Sequence, residues 1–364
     1  MDKQVEIACT SDVGMVRKEN QDHFGILHPE DPEERLRQGA LVVVADGMGG
    51  HSGGIIASHT TVDTILEVFG RGEACTMRAM VGDAIRAAND AVRAKAEADP
   101  ALREMGTTCV ALHVRGPHVL IGHLGDSRCY LVRDDRLEQV TRDHTYLNEL
   151  IDMGLLTSEQ AQNHPDRNII TRCVGMAQQL DIDFNRRSSR VGDRYVLCSD
   201  GLTNMVDDSE ILEITLAHPP KEASEKLVAL ANERGGDDNI TVAIAHLKEI
   251  PAADEDLVEL DRRDGEVTPS RTPVVSQQDV DRITAEATKP TKTGELAPDD
   301  LEETQKTVTG EMEVDGFTPA RDKGDTAESP EVSDGDSGTH PAWFWIIGVE
   351  IVILVLLQIW ISRL

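Results

Sequence analysis

Four aspartates stand where apolar runs of this 364-residue chain end or begin. "VVVAD" ends at Asp46, "LIGHLGD" delivers Asp126, "YVLCSD" ends at Asp200, and "GGDDN" places Asp238 just ahead of Asn239 and the run "ITVAIAHL". Carboxylates at strand ends are held by the backbone ladder, and on neighbouring strands their oxygens would converge at one edge of a sheet. Convergent carboxylate oxygens are hard donors, suited to Mg²⁺ or Mn²⁺ with water completing the octahedron. Gly47, next to Asp46 in "ADGMGG", fits the same chemistry. Without a Cβ its carbonyl can face an ion, and a substrate can come close. One Asp-Gly alone is an ordinary turn signal; four acidic corners on buried strands are more than turns require.

Holding these corners takes strands. The runs "ALVVVAD" (40–46), "TTCVALHV" (107–114), "HVLIGHLGD" (118–126), "SRCYLVR" (127–133), "DRYVLCSD" (193–200) and "NITVAIAHL" (239–247) are short, β-branched and bounded by Gly or Asp. They read as strands, several of them buried on both faces. Between them, Val62, Ile65, Leu66 and Phe69 recur at helical spacing before Gly70, and Met77–Ala98 does the same before Asp99-Pro100. A third helical region is expected over 145–176, broken at Gly154, with a capping box at Thr157 and Gln160; it would form a flap beside a site. Strands in consecutive runs and helices in pairs favour an α+β layered fold with antiparallel sheets over a doubly wound one.

In order along the chain, "SDVGMVRKENQD" (11–22), "VVADGMGGH" (43–51), "GTT" (106–108), "HLGDSRCYL" (123–131), the stretch 141–175, "LCSDGLTNMV" (197–206) and "GGDDNITVAI" (235–244) resemble the successive motifs of the metal-dependent Ser/Thr protein phosphatases, the PPM or type 2C family, in their bacterial form. The resemblance covers residues 3–248. It implies a four-layer αββα sandwich, two antiparallel sheets flanked by helices, with a dinuclear Mn²⁺ or Mg²⁺ centre at one end. It implies that Asp46 bridges two ions, Gly47 offers its carbonyl to one, Asp200 and Asp238 hold the other, and Asp22 acts through water. Asp126 with Asp200 matches a third, weaker metal site, and Arg17 matches the arginine that holds the substrate phosphate. The implied reaction is hydrolysis of phosphoserine and phosphothreonine in proteins by direct attack of a metal-bridging hydroxide, counteracting Ser/Thr kinases in signalling. The chemistry agrees: paired divalent ions activate water, and a planar guanidinium grips two phosphate oxygens together. Gln21, Met48 and Ile55 depart from common family residues; Met48 leaves any general acid unassigned. His51, His123 and His144 lie inside motifs, where structural hydrogen bonds are expected, and Arg128 is expected to form an ion pair. The alternative is a weak or inactive phosphoprotein-binding member of the same fold, whose mark would be a lost metal aspartate; none is lost here.

The catalytic domain is therefore expected over 1–249. From Pro251 to Pro341 there are 24 acidic residues against nine Lys and Arg, with Phe317 the one aromatic, so 250–341 is expected to be an acidic disordered linker. Its Thr304 and Thr307 are candidate targets of a partner kinase. The net charge of −30 leaves no basic patch for nucleic acid, and no EF-hand loop is present. Six scattered cysteines, without zinc spacing, suit a reducing compartment. Residues 342–361, with thirteen Leu, Ile, Val and Phe and tryptophans near both ends, read as a transmembrane helix. Without an apolar leader at the N-terminus, the expected arrangement is a single-pass tail anchor in the cytoplasmic membrane, with the catalytic domain facing the cytoplasm and Glu350 inside the span.

Overall fold

The unbroken apolar run at 40–46 is explained by strand geometry. In a strand, alternate side chains point to opposite faces, and both faces here are covered. Leu41, Val43 and Ala45 pack against helices, while Val42 and Val44 face a second sheet. The computed structural model describes residues 4–50, 52–71, 75–162, 164–264 and 274–276, all within one unit spanning 1–291.

The chain opens with β1 (Val5–Asp12), β2 (Asp22–Leu27), a short helix α1 (Pro32–Gln38) and β3 (Ala40–Met48). Two long helices follow, α2 (Gly53–Gly70) and α3 (Met77–Ala98), then β4 (Gly106–Thr107), β5 (Cys109–Arg115), β6 (His118–Leu124), β7 (Arg128–Arg133) and β8 (Arg136–Gln139). The short helices α4 (Tyr146–Asp152) and α5 (Ser158–Gln162) precede β9 (Asp183–Ser188) and β10 (Arg194–Cys198). The remainder is α6 (Asp200–Thr203), α7 (Asp208–Ala217), α8 (Pro220–Glu233), β11 (Ile240–Leu247), α9 (Glu255–Arg263) and β12 (Val274–Ser276).

The strands form two antiparallel sheets, ordered β1-β11-β10-β7-β8-β12 and β2-β3-β5-β6-β9, with β4 on β3. Between the sheets lies a core of Val42, Val44, Leu112 and Ile121 from one and Leu131, Tyr195, Leu197 and Ala243 from the other. The outer face of the β3 sheet is covered by α2 and α3 through Val62, Ile65, Phe69, Ile85 and Val92. The outer face of the β10 sheet is covered by α7 and α8 through Ile211, Leu212, Leu227 and Ala231. These are the four expected layers. The α3 limits coincide with the expected ones: Thr76 caps its N-terminus by accepting from the Ala79 amide, and Asp99 ends it.

Two expectations are corrected. Over 145–176 only α4 and α5 are helical. The rest is drawn into extended pairing, Thr145 bridging Ile170 and Thr107 bridging Val174. The Thr157–Gln160 box forms as expected, Thr157 N donating to Gln160 Oε1 at 2.9 Å, and Gly154 breaks the chain at φ +71°. The ordered body also does not stop at 249. Residues 250–264 continue on it, and α9 is capped by Asp254 and buries Leu257 and Asp261. The Asp261 carboxylate pairs with the fully buried Arg115 guanidinium at 2.7 Å and accepts from the Met77 amide at 2.8 Å. A buried carboxylate whose partner lies 146 residues earlier is invisible to composition. β12 extends the sheet further, pairing with β8. Residues 265–273, the remainder of the expected linker from 277 and the expected span at 342–361 lie outside the described residues, as does His51. Among the described residues no helix is long and apolar enough to cross a membrane.

Candidate metal centre

One end of the sandwich gathers the acidic corners. Asp22 begins β2 directly opposite Asp46 in the β2–β3 ladder. Asp200 opens α6 at the end of β10, Asp238 precedes the neighbouring β11, and Asp126 follows β6. The two sheets thus deliver carboxylates to the same end, as the sequence pattern anticipates.

Asp46 is fixed from both sides. Its amide donates to Thr108 Oγ1 at 2.8 Å, and its carbonyl accepts from the Thr108 amide and from Thr107 Oγ1. The Gly47 amide donates to the Gln21 carbonyl at 3.1 Å. A Cβ on Gly47 would lie 2.1 Å from the Gly54 carbonyl oxygen, so only glycine lets α2 start this close to β3. Asp22 is buried, and its Oδ2 accepts from Ser199 Oγ at 2.7 Å. Asp238 accepts from Arg17 Nη2 at 2.7 Å and from the Asn239 amide at 2.8 Å. Arg17, expected to face substrate phosphate, is therefore paired with one of the candidate ligands in this structure, its side chain half-exposed.

The electrostatics call for positive charge. Burial, followed by the charges of Asp22, Asp200, Asp126 and Asp238, holds the Asp46 carboxyl well above the usual carboxylate range. Burial likewise pushes Asp22 up to about 7, against the opposing Ser199 and Thr241 hydroxyls. Asp126 rises to about 7 through burial and the nearby Asp200 and Asp143 charges. Asp200 is raised by burial and by Asp238. A cation beside carboxylates that raise one another in this way would favour their anionic forms. Oδ1 of Asp22 and Oδ1 of Asp200 are buried and accept no hydrogen bond, leaving oxygen lone pairs unmatched. Among the described residues no three His, Cys, Asp or Glu side chains close by themselves into a ligand set. Ions here would share these oxygens with the Gly47 carbonyl and water, the coordination that Mg²⁺ and Mn²⁺ accept. The donors fit such ions.

A cavity of about 310 Å³ adjoins the cluster, with Asp126 and Asp200 on one wall and Leu147, Asn148, Ser158 and Arg167 of the flap region on another. Arg128 is an ion-pair residue, as expected: it holds Asp143 at 2.7 Å and donates to the Tyr130 hydroxyl. Three organisers of the site were not singled out from the sequence. Asn239 accepts from the Gln21 amide and donates to the Val13 and Glu19 carbonyls, stapling the loop that carries Arg17 to the start of β11. Ser199 orients Asp22, and Thr108 orients Asp46. Asn239 and Ser199 each adjoin a motif aspartate and Thr108 closes the motif "GTT", which is the signal that would have found them.

Residues 17–235 match the family described as Protein phosphatase 2C. This chain belongs to that family. Among its relatives, the serine/threonine protein phosphatase PstP of Mycobacterium tuberculosis is 38% identical over 239 residues, which cover 65% of this chain and 44% of PstP. The chain thus spans less than half the length of that relative. Protein phosphatase PhpP of Streptococcus pneumoniae is 36% identical over 258 residues, covering 67% of this chain and 98% of PhpP. A crystal structure of the PstP catalytic domain in complex with two manganese ions superposes at a TM-score of 0.59 with 36% identity, covering 67% of this chain and 99% of that domain. The family is one of protein phosphatases.

Proposed function

We propose that this 2C-type chain hydrolyses phosphoserine and phosphothreonine in proteins with Mn²⁺ or Mg²⁺ held by Asp46, Gly47, Asp200 and Asp238, with Asp22 acting through water. The observation that carries the reading is the meeting of mutually raised carboxylates, two with unmatched buried oxygens, beside the Arg17 guanidinium. Two divalent ions would supply a water acidified towards neutrality and a positive field for the charge that develops on phosphoryl oxygens. The protein's own part is binding and orientation. Arg17 offers a planar fork to two phosphate oxygens, Ser199 and Thr108 fix the carboxylates, and the flap bounds the space beside them. A thiolate mechanism is disfavoured, because burial pushes the Cys109 and Cys198 thiols up to about 12 and Cys173 up to about 11.

The reading extends to a third ion at Asp126, to kinase substrates as clients, and to a membrane tether at 342–361 with the catalytic body on the cytoplasmic side. The apolar run and its flanking tryptophans support the tether. The two-manganese PstP domain supports the metal assignment. The test is turnover of a phosphothreonine peptide by the full chain in detergent, with Mn²⁺, Mg²⁺ or EDTA, beside Asp200→Asn. Metal-dependent turnover lost in the variant is expected; metal-independent turnover, or full activity in Asp200→Asn, overturns the reading. Flotation of the full chain with lipid vesicles, against a chain ending at 276, tests the tether.

A further inference from the structure

His144 binds the turn ahead of Asp126 at both backbone groups of one residue. Its amide donates to the Gly125 carbonyl at 2.8 Å, and its ring Nδ1 accepts from the Gly125 amide at 3.1 Å. Gly125 sits at φ +101°, and a Cβ there would lie 2.6 Å from Thr108 Cγ2, so this turn has one tight solution. The His144 carbonyl accepts from the Thr171 amide at 2.9 Å, where the flap returns to the body. Its ring Nε2 lies 3.1 Å from Asp183 Oδ2 at the start of β9, and the whole residue is buried. The neighbouring Thr145 bridges Ile170, so both ends of the flap close at this residue.

The ring's protonation pattern follows from its partners. An Nδ1 that receives an amide proton carries none, so the imidazole proton is on Nε2, which lies close to the Asp183 carboxylate without the alignment of a hydrogen bond. The nearby His144 ring is the first influence lowering Asp183 from the usual range. His123, stacked obliquely on the His144 ring at 4.7 Å, makes none of these contacts with the turn.

We propose that His144 is a positioning residue that fixes the Gly125–Asp126 turn to the flap, so that the placement of the Asp126 carboxylate depends on where the flap sits. The inference rests on the phosphatase reading for its catalytic consequence but not for its structural one. The test is amide hydrogen exchange at Gly125, resolved by NMR on the full chain with and without Mn²⁺, alongside kcat and KM on a phosphothreonine peptide. In His144→Ala, Gly125 exchange should rise about tenfold, and kcat should fall about 10–100-fold with KM little changed. In His144→Asn, whose amide oxygen can take the place of Nδ1, protection and most of kcat should return. Asp183→Ala, at a half-exposed position that folding tolerates, should give a smaller change of the same kind. His123→Leu is the control for a merely buried ring and should leave Gly125 protected. A Gly125 amide that stays protected in His144→Ala, an Asn variant no better than Ala, or equal deprotection in His123→Leu overturns the proposal. An inactive parent chain would count against the phosphatase reading, while Gly125 exchange would still decide the turn.

Discussion

Removing the Asp261 carboxylate should cost this fold a large share of its stability, though it lies on a helix beyond the residues that match the family. Arg115 is wholly buried, and Asp261 supplies both of its counter-charge oxygens at 2.7 to 3.0 Å. Its remaining partners are the Arg37 and Cys75 carbonyls and the Met80 sulfur, none of them charged. Breaking a buried pair by deleting one side strands the other charge and costs about 3–5 kcal/mol. The lost hydrogen bond to the Met77 amide adds about 1 kcal/mol. Asp261→Ala should therefore unfold about 4–6 kcal/mol more easily, a fall in Tm of about 10–20 °C for a body this size. A chain ending at 250 should fall at least as far. The assay is urea unfolding followed by tryptophan-independent far-UV circular dichroism, with calorimetry alongside. Arg115→Met combined with Asp261→Ala should recover part of the loss, because no charge is then stranded. An Asp261→Ala variant within 1 kcal/mol of its parent, or a double variant worse than the single one, would refute the account of α9 as a fastening element.

Three other outcomes are expected. His113 and His123 are buried and held down to about 3 against an ordinary 6.5, so they stay neutral in the fold while the unfolded chain takes up protons. Their share of stability is complete above about pH 6.5 and is lost as pH falls towards 3, by about 2 kcal/mol per histidine at pH 5; urea midpoints at pH 7.5 and pH 5 check this. Gly47→Ala should destabilise by about 3 kcal/mol, since its Cβ would meet the Gly54 and Gln21 carbonyl oxygens at 2.1 and 2.6 Å; an unchanged urea midpoint would be the contrary result. Arg17→Ala should lower kcat/KM on a phosphothreonine peptide about 10–100-fold, with Arg17→Lys recovering little because the fork is gone; steady-state kinetics decide.

Much of the fold was legible because the strands are buried on both faces and therefore unmistakably apolar. The alternation within 40–46 is hidden in the sequence, since both sides of β3 need the same residue types. β2 escaped notice for the converse reason: "DHFGIL" mixes a catalytic-end aspartate, a histidine and a glycine that admits Val62 and Leu66 of α2. Asp46, Asp126, Asp200 and Asp238 were legible because each stands where an apolar run ends or begins, Asp22 only through the family resemblance, and the structure places all five at one end of the sandwich. Asn239, Ser199 and Thr108 were not legible as organisers, because their partners at the site lie 62 to 226 residues away and only topology brings them together. The helix at 255–263 was masked by the acidity around it; its single buried carboxylate looks like any other until Arg115 is seen.

Asp22 and Asp46 face each other across a β ladder, where like charges oppose pairing. The site is thus built on repulsion that the fold itself must overcome whenever no cation is present. A substitution that neutralises one of these carboxylates relieves that repulsion, so on the proposed reading inactivity lies downhill in folding energy. A lineage freed from the need to dephosphorylate would lose these aspartates early and grow more robust for it. By the same logic, selection of variants of this chain for heat resistance in the absence of divalent ions would enrich for dead ones.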